Sequence, residues 1–369
     1  MTLRHLEEYR DPELSRSLIR RIRETSRRPV RLMEVCGTHT MAIFRSGIRS
    51  VLPETISLLS GPGCPVCVTG PGEIDAFVEL ARRDGVTVAT FGDLLRVPGT
   101  ESTLERERAA GRDARIVYSA ADAVALAREL PDRTVVFLGI GFETTAPTVA
   151  AAVLSARESG LENFRVLSAH KRVLPALFAL AADPDLAIDG LLLPGHVSIV
   201  LGTEGYRPFF DRHRMPCVVA GFEPADILQA VRMLTEQIEN GAPALENAYG
   251  RAVTAEGNRR AREIMDTVFE SGDAVWRGMG VIPDSGLFFR EEFAQFDARR
   301  TLGIAARDVP EPAGCACGEV VTARRTPPEC PLFRTRCTPM RPVGPCMVSS
   351  EGTCAAWYRY HSEEGREEA

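Results

Sequence analysis

The chain has 369 residues, a net charge of −6 and an apolar share of 44%. That is the make-up of an ordinary globular protein with room for two or three domains and a large core. Acidic side chains outnumber basic ones, 50 to 44, and no long basic run occurs, which argues against nucleic acid as a partner. The opening stretch MTLRHLEEYRDPEL is too polar for a signal peptide. No apolar run approaches the roughly 18–20 residues of a membrane span, so no membrane association is expected and a cytoplasmic location is. Ten cysteines in a reducing compartment point to metal ligands, redox pairs or nucleophiles before structural disulfides. Cys217, in the apolar run MPCVVAGF, reads as plain core. Lys171 is the only lysine, which reflects compositional bias first and a special role second.

From about residue 30 to 240, short β-rich apolar runs alternate with amphipathic segments. Strands are expected at 30–35, 56–60, 86–91, 115–118, 134–140, 164–168, 190–193 and 217–220. Between them, GEIDAFVELARRDG and AADAVALARELPD repeat apolar residues every three or four positions, the helical period. Strand–helix alternation builds parallel sheets covered by helices on both faces. The expected fold is therefore α/β, with two doubly wound, Rossmann-like units and a small cysteine-rich domain. The expected boundaries are 1–125 for the first unit, with CGTHT and CxxC, and 126–240 for the second, with the GFETT and PGHVS loops. A helical connection and the cysteine-rich end then fill 241–369.

In open parallel sheets, ligands bind beyond the carboxyl ends of the strands. Each unusual cluster of this chain follows such an end: CGTHT the first strand, GPGCPVC the second, GFETTAP the fifth, SAHK the sixth, PGHVS the seventh and GFEP the eighth. The GFE triplet occurs twice, at Gly141–Glu143 and Gly221–Glu223. Either a duplicated unit or chance combined with turn chemistry accounts for that.

Near residue 305 the composition changes. Six of the ten cysteines, Cys315, Cys317, Cys330, Cys337, Cys346 and Cys354, fall within forty residues rich in Pro and Gly. With little hydrophobic periodicity, such a stretch needs a staple to be ordered. Zinc sites usually show two close pairs. Here the only close pair is C-x-C, so four of these thiolates suit an iron–sulfur cluster, with structural zinc as the alternative.

Cys64 and Cys67 form a CxxC pair, close enough to cycle between dithiol and disulfide; half of a zinc site is the other reading. Gly70–Pro71 precedes a helix whose first turn carries Glu73. Cys36 ends the first strand, where Gly37 permits a tight turn and Thr38 or Thr40 caps the next helix, whose N-terminal field lowers a thiol pKa. His39 is placed to take the thiol proton or to ligate a metal beside it. Glu143, His170, His196 and Glu223 are candidates to complete the cleft, each with a plain reading as a loop or capping residue. No P-loop, no GxGxxG and no GxSxG is present, which removes the usual support for nucleotide binding and serine hydrolysis.

Six segments, MEVCGTHTMAIFRSGI, LLSGPGCPVCVT, GIGFETTAPTVA, LPGHVSIVLG, GFEPADIL and CPLFRTRCTPMRPVGPCMVSSEGTCAAWYRY, together resemble the HypD family of [NiFe]-hydrogenase maturation proteins. The resemblance runs from about residue 30 to 360. It implies a redox-active scaffold rather than a free-standing enzyme, working with a small HypC-like partner. On that scaffold an iron ion collects two cyanides and one carbon monoxide. The cyanide comes from a thiocyanate on a HypE/HypF-like pair, and the finished Fe(CN)2CO unit passes to a hydrogenase large-subunit precursor. By the same resemblance Cys36 holds the iron, and Cys64 and Cys67 exchange electrons with a [4Fe–4S] cluster. The family spacing C-x14-C-x6-C-x16-C puts that cluster on Cys315, Cys330, Cys337 and Cys354, leaving out Cys317 and Cys346. A cluster-fed disulfide reductase of the ferredoxin–thioredoxin type is the competing class.

Overall fold

A computed structural model describes residues 7–361. Among these, eleven strands form: β1 Val30–Glu34, β2 Ile56–Ser60, β3 Val86–Thr90, β4 Ala114–Ile116, β5 Thr134–Gly139, β6 Phe164–Ser168, β7 Gly190–Pro194, β8 Cys217–Ala220, β9 Leu245–Asn247, β10 Phe269–Trp276 and β11 Gly280–Phe289. The first eight lie on the apolar runs. Strands such as β3 and β7 are buried along their whole length, as strands covered on both faces must be.

One sheet has the order β2-β1-β7-β8-β9 and another β4-β3-β5-β6. Every neighbouring pair in both is parallel. The third is the antiparallel β10–β11 hairpin.

Sheet membership does not follow a division at residue 125. The chain lays down β1 and β2, leaves to build the whole β3–β6 sheet, and returns to add β7, β8 and β9 beside β1. The join is the register Leu32↔Gly190, Met33↔Leu191, Glu34↔Leu192. Two strands alone cannot bury both faces of a parallel sheet, and the fully apolar β7 supplies the missing neighbour.

Helices Pro12–Thr25, Gly37–Arg45 and Pro224–Asn240 cover one face of the larger sheet through Ile22, Ile43, Ile227 and Leu234. Its other face is closed by Leu177, Tyr206 and Phe209, together with Trp276 and Ile282 from the hairpin. The smaller sheet packs Phe137 and Phe164 on one side and Val136 and Leu138 on the other. No helix of the described residues is long and apolar enough to cross a membrane.

Lys171 is 1% exposed and its ammonium lies 3.0 and 2.9 Å from the two carboxylate oxygens of Glu73. Glu73 in turn accepts the N–H of Gly70, so this buried ion pair ties the turn after CxxC to the end of β6.

The cysteine-rich end carries more core than its composition suggests. Val320, Val321, Leu332 and Met347 are buried with its cysteines. Helix Thr353–Tyr360 docks on Gly37–Arg45, with Trp357 5.5 Å from Phe44 and the Arg49 guanidinium over both rings.

Candidate functional site

In each parallel sheet one gap separates strands whose connections run in opposite directions, the position where a crevice opens. In the larger sheet it lies between β1 and β7, and in the smaller between β3 and β5. The two gaps face one another. Val35, Cys36, Pro194 and His196 from one side, and Phe91, Asp93, Ile140, Phe142 and Thr145 from the other, line a cavity of about 260 Å³. Thr38, Gly63, Pro65 and Glu351 complete its wall.

Cys36 occupies the N-cap of helix Gly37–Arg45 with extended backbone, φ −151° and ψ 120°. No threonine caps this helix. Thr38 Oγ1 donates to Glu351, and Thr40 Oγ1 donates to Glu34. Burial pushes the Cys36 thiol up to about 12, and the nearby Glu351 and Glu34 carboxyls raise it too. The backbone N–H groups of His39 and Thr38 act the other way. The sulfur is therefore a neutral thiol until something displaces its proton.

Gly37 serves packing rather than turning. A Cβ there would sit 2.6 Å from the Glu351 Cβ and 2.9 Å from its carbonyl oxygen.

His39 contributes to the sulfur through its backbone. Its imidazole Nε2 lies 3.2 and 3.0 Å from the Ala220 and Gly221 carbonyl oxygens, and the ring is fully buried. Burial lowers its pKa to about 4. A neutral ring that donates from Nε2 to the end of β8 fixes the helix against the sheet; its Nδ1 has no hydrogen-bond partner among the described residues.

The CxxC loop is pressed against Cys36. Gly37 N–H donates to the Gly63 carbonyl at 3.0 Å, and a Cβ on Gly63 would fall 2.1 Å from Cys36 N and 2.3 Å from its Cα. Only glycine permits this approach. Cys64 and Cys67 are joined as a disulfide with Cα atoms 5.2 Å apart. Cys64 caps the short helix Pro65–Val68, its Sγ accepting the Cys67 N–H at 3.2 Å. Ser349 Oγ lies 3.3 Å from the same sulfur.

Both sulfurs share one buried cluster with Cys317, Cys330, Cys337, Cys346 and Cys354, against which Cys315 packs. Within it the thiols of Cys315, Cys317, Cys346 and Cys354 neighbour one another, and Cys346 Sγ accepts the Cys354 N–H at 3.2 Å. Cys337 Sγ accepts the Val343 N–H at 3.3 Å. Gly344 faces the Cys315 and Cys317 sulfurs, where a Cβ would come within 2.9 and 3.4 Å. Among the described residues no three His, Cys, Asp or Glu side chains are arranged to hold a single metal ion.

The remaining candidates separate. His196 lines the cleft and stacks on Phe222 at 4.0 Å. His170 is buried behind the sheet with Nδ1 3.0 Å from Ser168 Oγ. The two GFE triplets do different work: Glu143 receives the Val173 N–H on both oxygens, whereas Glu223 pairs with Arg10 at the surface.

Sequence reasoning passed over the Ser349–Glu351 loop, which touches both Cys64 and Thr38, and the buried Arg277 beside CxxC. The SSEG stretch carries only turn residues and a charge, a signal shared with many surface loops, and the arginine of WRGMG is one of many in the chain.

Burial raises the Glu143 carboxyl to about 7. With an ordinary value near 4.5 in the unfolded chain, the native state binds the extra proton between those limits. Stability from this group is then whole below about 4.5 and declines as pH rises toward 7. Subtracting the urea-unfolding free energy of Glu143→Gln from that of the wild type is expected to give a difference that falls by about 3 kcal/mol at most across that window. A flat difference refutes the assignment.

The family described as "HypD: Hydrogenase formation hypA family" matches residues 13–361. The chain belongs to the HypD family. It is 45% identical over 367 residues to the hydrogenase maturation factor HypD of Azotobacter vinelandii, covering 97% of each chain. It is 45% identical over 370 residues to the HypD of Escherichia coli K12, covering 98% of this chain and 99% of that one. A putative hydrogenase expression/formation protein of Methanocaldococcus jannaschii is 43% identical over 336 residues, 90% and 92% of the two chains. As a HypD-family member, the chain has its CGTHT, CxxC and PGHVS motifs on one crevice, and its terminal cysteines beneath CxxC.

Proposed function

We propose that the chain acts in hydrogenase maturation as a scaffold on which iron acquires cyanide and carbon monoxide. The observation that carries this is the double contact of the CxxC loop. Its leading residue, Gly63, lies on the Cys36 backbone, while its sulfurs belong to the C-terminal thiol cluster.

Iron enters the cleft as the substrate. Cys36 must lose its proton to bind it, and Glu351, itself raised by burial and on the same cavity wall, is the acceptor. A soft thiolate in a cleft with space for further ligands suits low-spin iron. The N-terminal cysteine of a HypC-like partner adds the second sulfur.

Cyanide leaves its carrier reductively. Carrier–S–C≡N plus the Cys64–Cys67 dithiol gives carrier thiol, cyanide, one proton and the disulfide. Two electrons and two hydrogens leave the dithiol, and the carrier S–C bond breaks. Restoring the dithiol needs two protons and two electrons, the electrons from beneath. Cys315, Cys330, Cys337 and Cys354 would hold a [4Fe–4S] cluster supplying electrons one at a time. The buried, soft donors and the N–H···S bond to Cys337 fit such a group. Cys317 and Cys346, in contact with each other and within the same core as Cys67, lie where thiols would relay charge to the disulfide.

Anaerobically purified protein is expected to contain iron and acid-labile sulfide, with a broad visible absorbance that bleaches on dithionite. Stoichiometric zinc without sulfide defeats the cluster, and with it the electron supply.

A further inference from the structure

Arg277 follows β10 in the hairpin turn, and its side chain is 1% exposed. Its backbone N–H donates to the Val68 carbonyl at 2.8 Å and its Nε to the Thr69 carbonyl at 3.1 Å, gripping the end of the CxxC helix. Trp276 and Thr69 form an antiparallel bridge beside it. Nη1 pairs with Glu311, on the loop that enters Cys315. The same turn meets the residue after Cys317: a Cβ on Gly318 would lie 2.9 Å from Gly278 Cα and 4.0 Å from Arg277 Cγ.

Burying a guanidinium costs several kcal/mol unless it is matched by charge. Here the cation is fully enclosed, while its carboxylate partner keeps 34% of its exposure. Water therefore screens Glu311 more than Arg277, and the interior is left with excess positive charge. Its charge reaches the Cys315 and Cys317 thiols, which belong with Cys64 and Cys67 to one sulfur-rich core, where negative charge gained on reduction is favoured by a nearby cation.

We propose that Arg277 is the positioning residue of the thiol relay, clamping the CxxC helix onto the Cys315–Cys317 turn and favouring the reduced state of Cys64–Cys67 by its positive charge. This rests on the redox reading of the CxxC pair given above. Reduction to the thiol–thiolate pair breaks the S–S bond and adds two electrons and one proton; a second proton completes the dithiol. Cys64, which accepts the Cys67 N–H, is the sulfur placed to retain charge as thiolate. Burial also sharpens the effect, since a charge acts more strongly where water is excluded.

The test equilibrates anaerobic, full-length protein with mixtures of dithiothreitol and its cyclic disulfide. Alkylation and mass analysis of the peptide holding Cys64 and Cys67 give the midpoint. Arg277→Met is expected to need about tenfold more reductant than wild type, about 30 mV for a two-electron couple, and Arg277→Lys to stay within about threefold. Glu311→Gln, which removes the counter-charge, is expected to move the midpoint the opposite way. Loss of packing alone would not reverse sign between these variants. An unchanged midpoint in folded Arg277→Met, or a Glu311→Gln shift in the same direction as Arg277→Met, overturns the proposal. Should Arg277→Met not fold, the Glu311→Gln sign decides. A wild-type pair that dithiothreitol cannot reduce would instead refute the redox reading itself.

Discussion

Cells whose only copy carries Cys36→Ala are expected to show hydrogenase activity at background, with the variant protein present at normal level and fold. Cys36 is 7% exposed and its side chain is small, so truncation removes little packing and stability changes by about 1 kcal/mol. What disappears is the only cysteine that lines the cleft among the described residues. Cys36→Ser is expected to fail as well, because a hydroxyl is a harder ligand and holds its proton far more tightly than a thiol. In wild-type protein isolated with the proposed HypC-like partner, infrared spectra are expected to show iron-bound cyanide and carbon monoxide bands; the Ala variant should lack them. Those bands at wild-type intensity in the Ala variant would sink the scaffold role of this residue. Glu351→Gln, which keeps the Thr38 contact but not the base, helps to separate proton removal from ligation.

The central strands such as β3, β5 and β7 were legible because strands covered on both faces read as continuous apolar runs between turn residues, while β4, an edge strand with two exposed residues, was legible only in part. Which sheet each strand joins was not. The pairing of Leu32 with Gly190 spans most of the first half of the chain, and no local pattern encodes it. The hairpin hid for a different reason: FESGDAVW places Gly272 and Asp273 inside a strand, and the register shifts there between Gly272 and Ala274. At the site, spacing was informative where chemistry demands adjacency, as in CxxC. It left alternatives open where a polar residue packs against backbone. His39 and Glu143 both look reactive in a motif, yet each is engaged by main-chain groups. Arg277 could not be singled out in a chain whose basic residues are nearly all arginine.

Losing one thiol of the proposed cluster set should separate the cofactor from the scaffold around it. Cys354→Ala is expected to purify without visible absorbance and to leave maturation at background, while the two parallel sheets retain wild-type circular dichroism. The change falls in helix Thr353–Tyr360, whose Ala355, Ala356 and Trp357 already pack on the rest of the molecule. That helix should therefore stay docked, and the loss of order should concentrate between residues 305 and 345, where Val320, Val321 and Leu332 are packed mainly on the cysteines themselves. Metal binding contributes directly to the folding of such segments. Trypsin, which cuts after arginine, is expected to open that stretch in the variant and to spare it in the wild type. Cys317→Ser is the contrast, because it lies outside the family spacing: its absorbance should persist although electron delivery to Cys64–Cys67 slows. If Cys354→Ala keeps the full chromophore and the wild-type digestion pattern, or Cys317→Ser loses the chromophore, the four-thiol assignment is wrong and the ligand set must be redrawn around the run of thiols from Cys315 to Cys346.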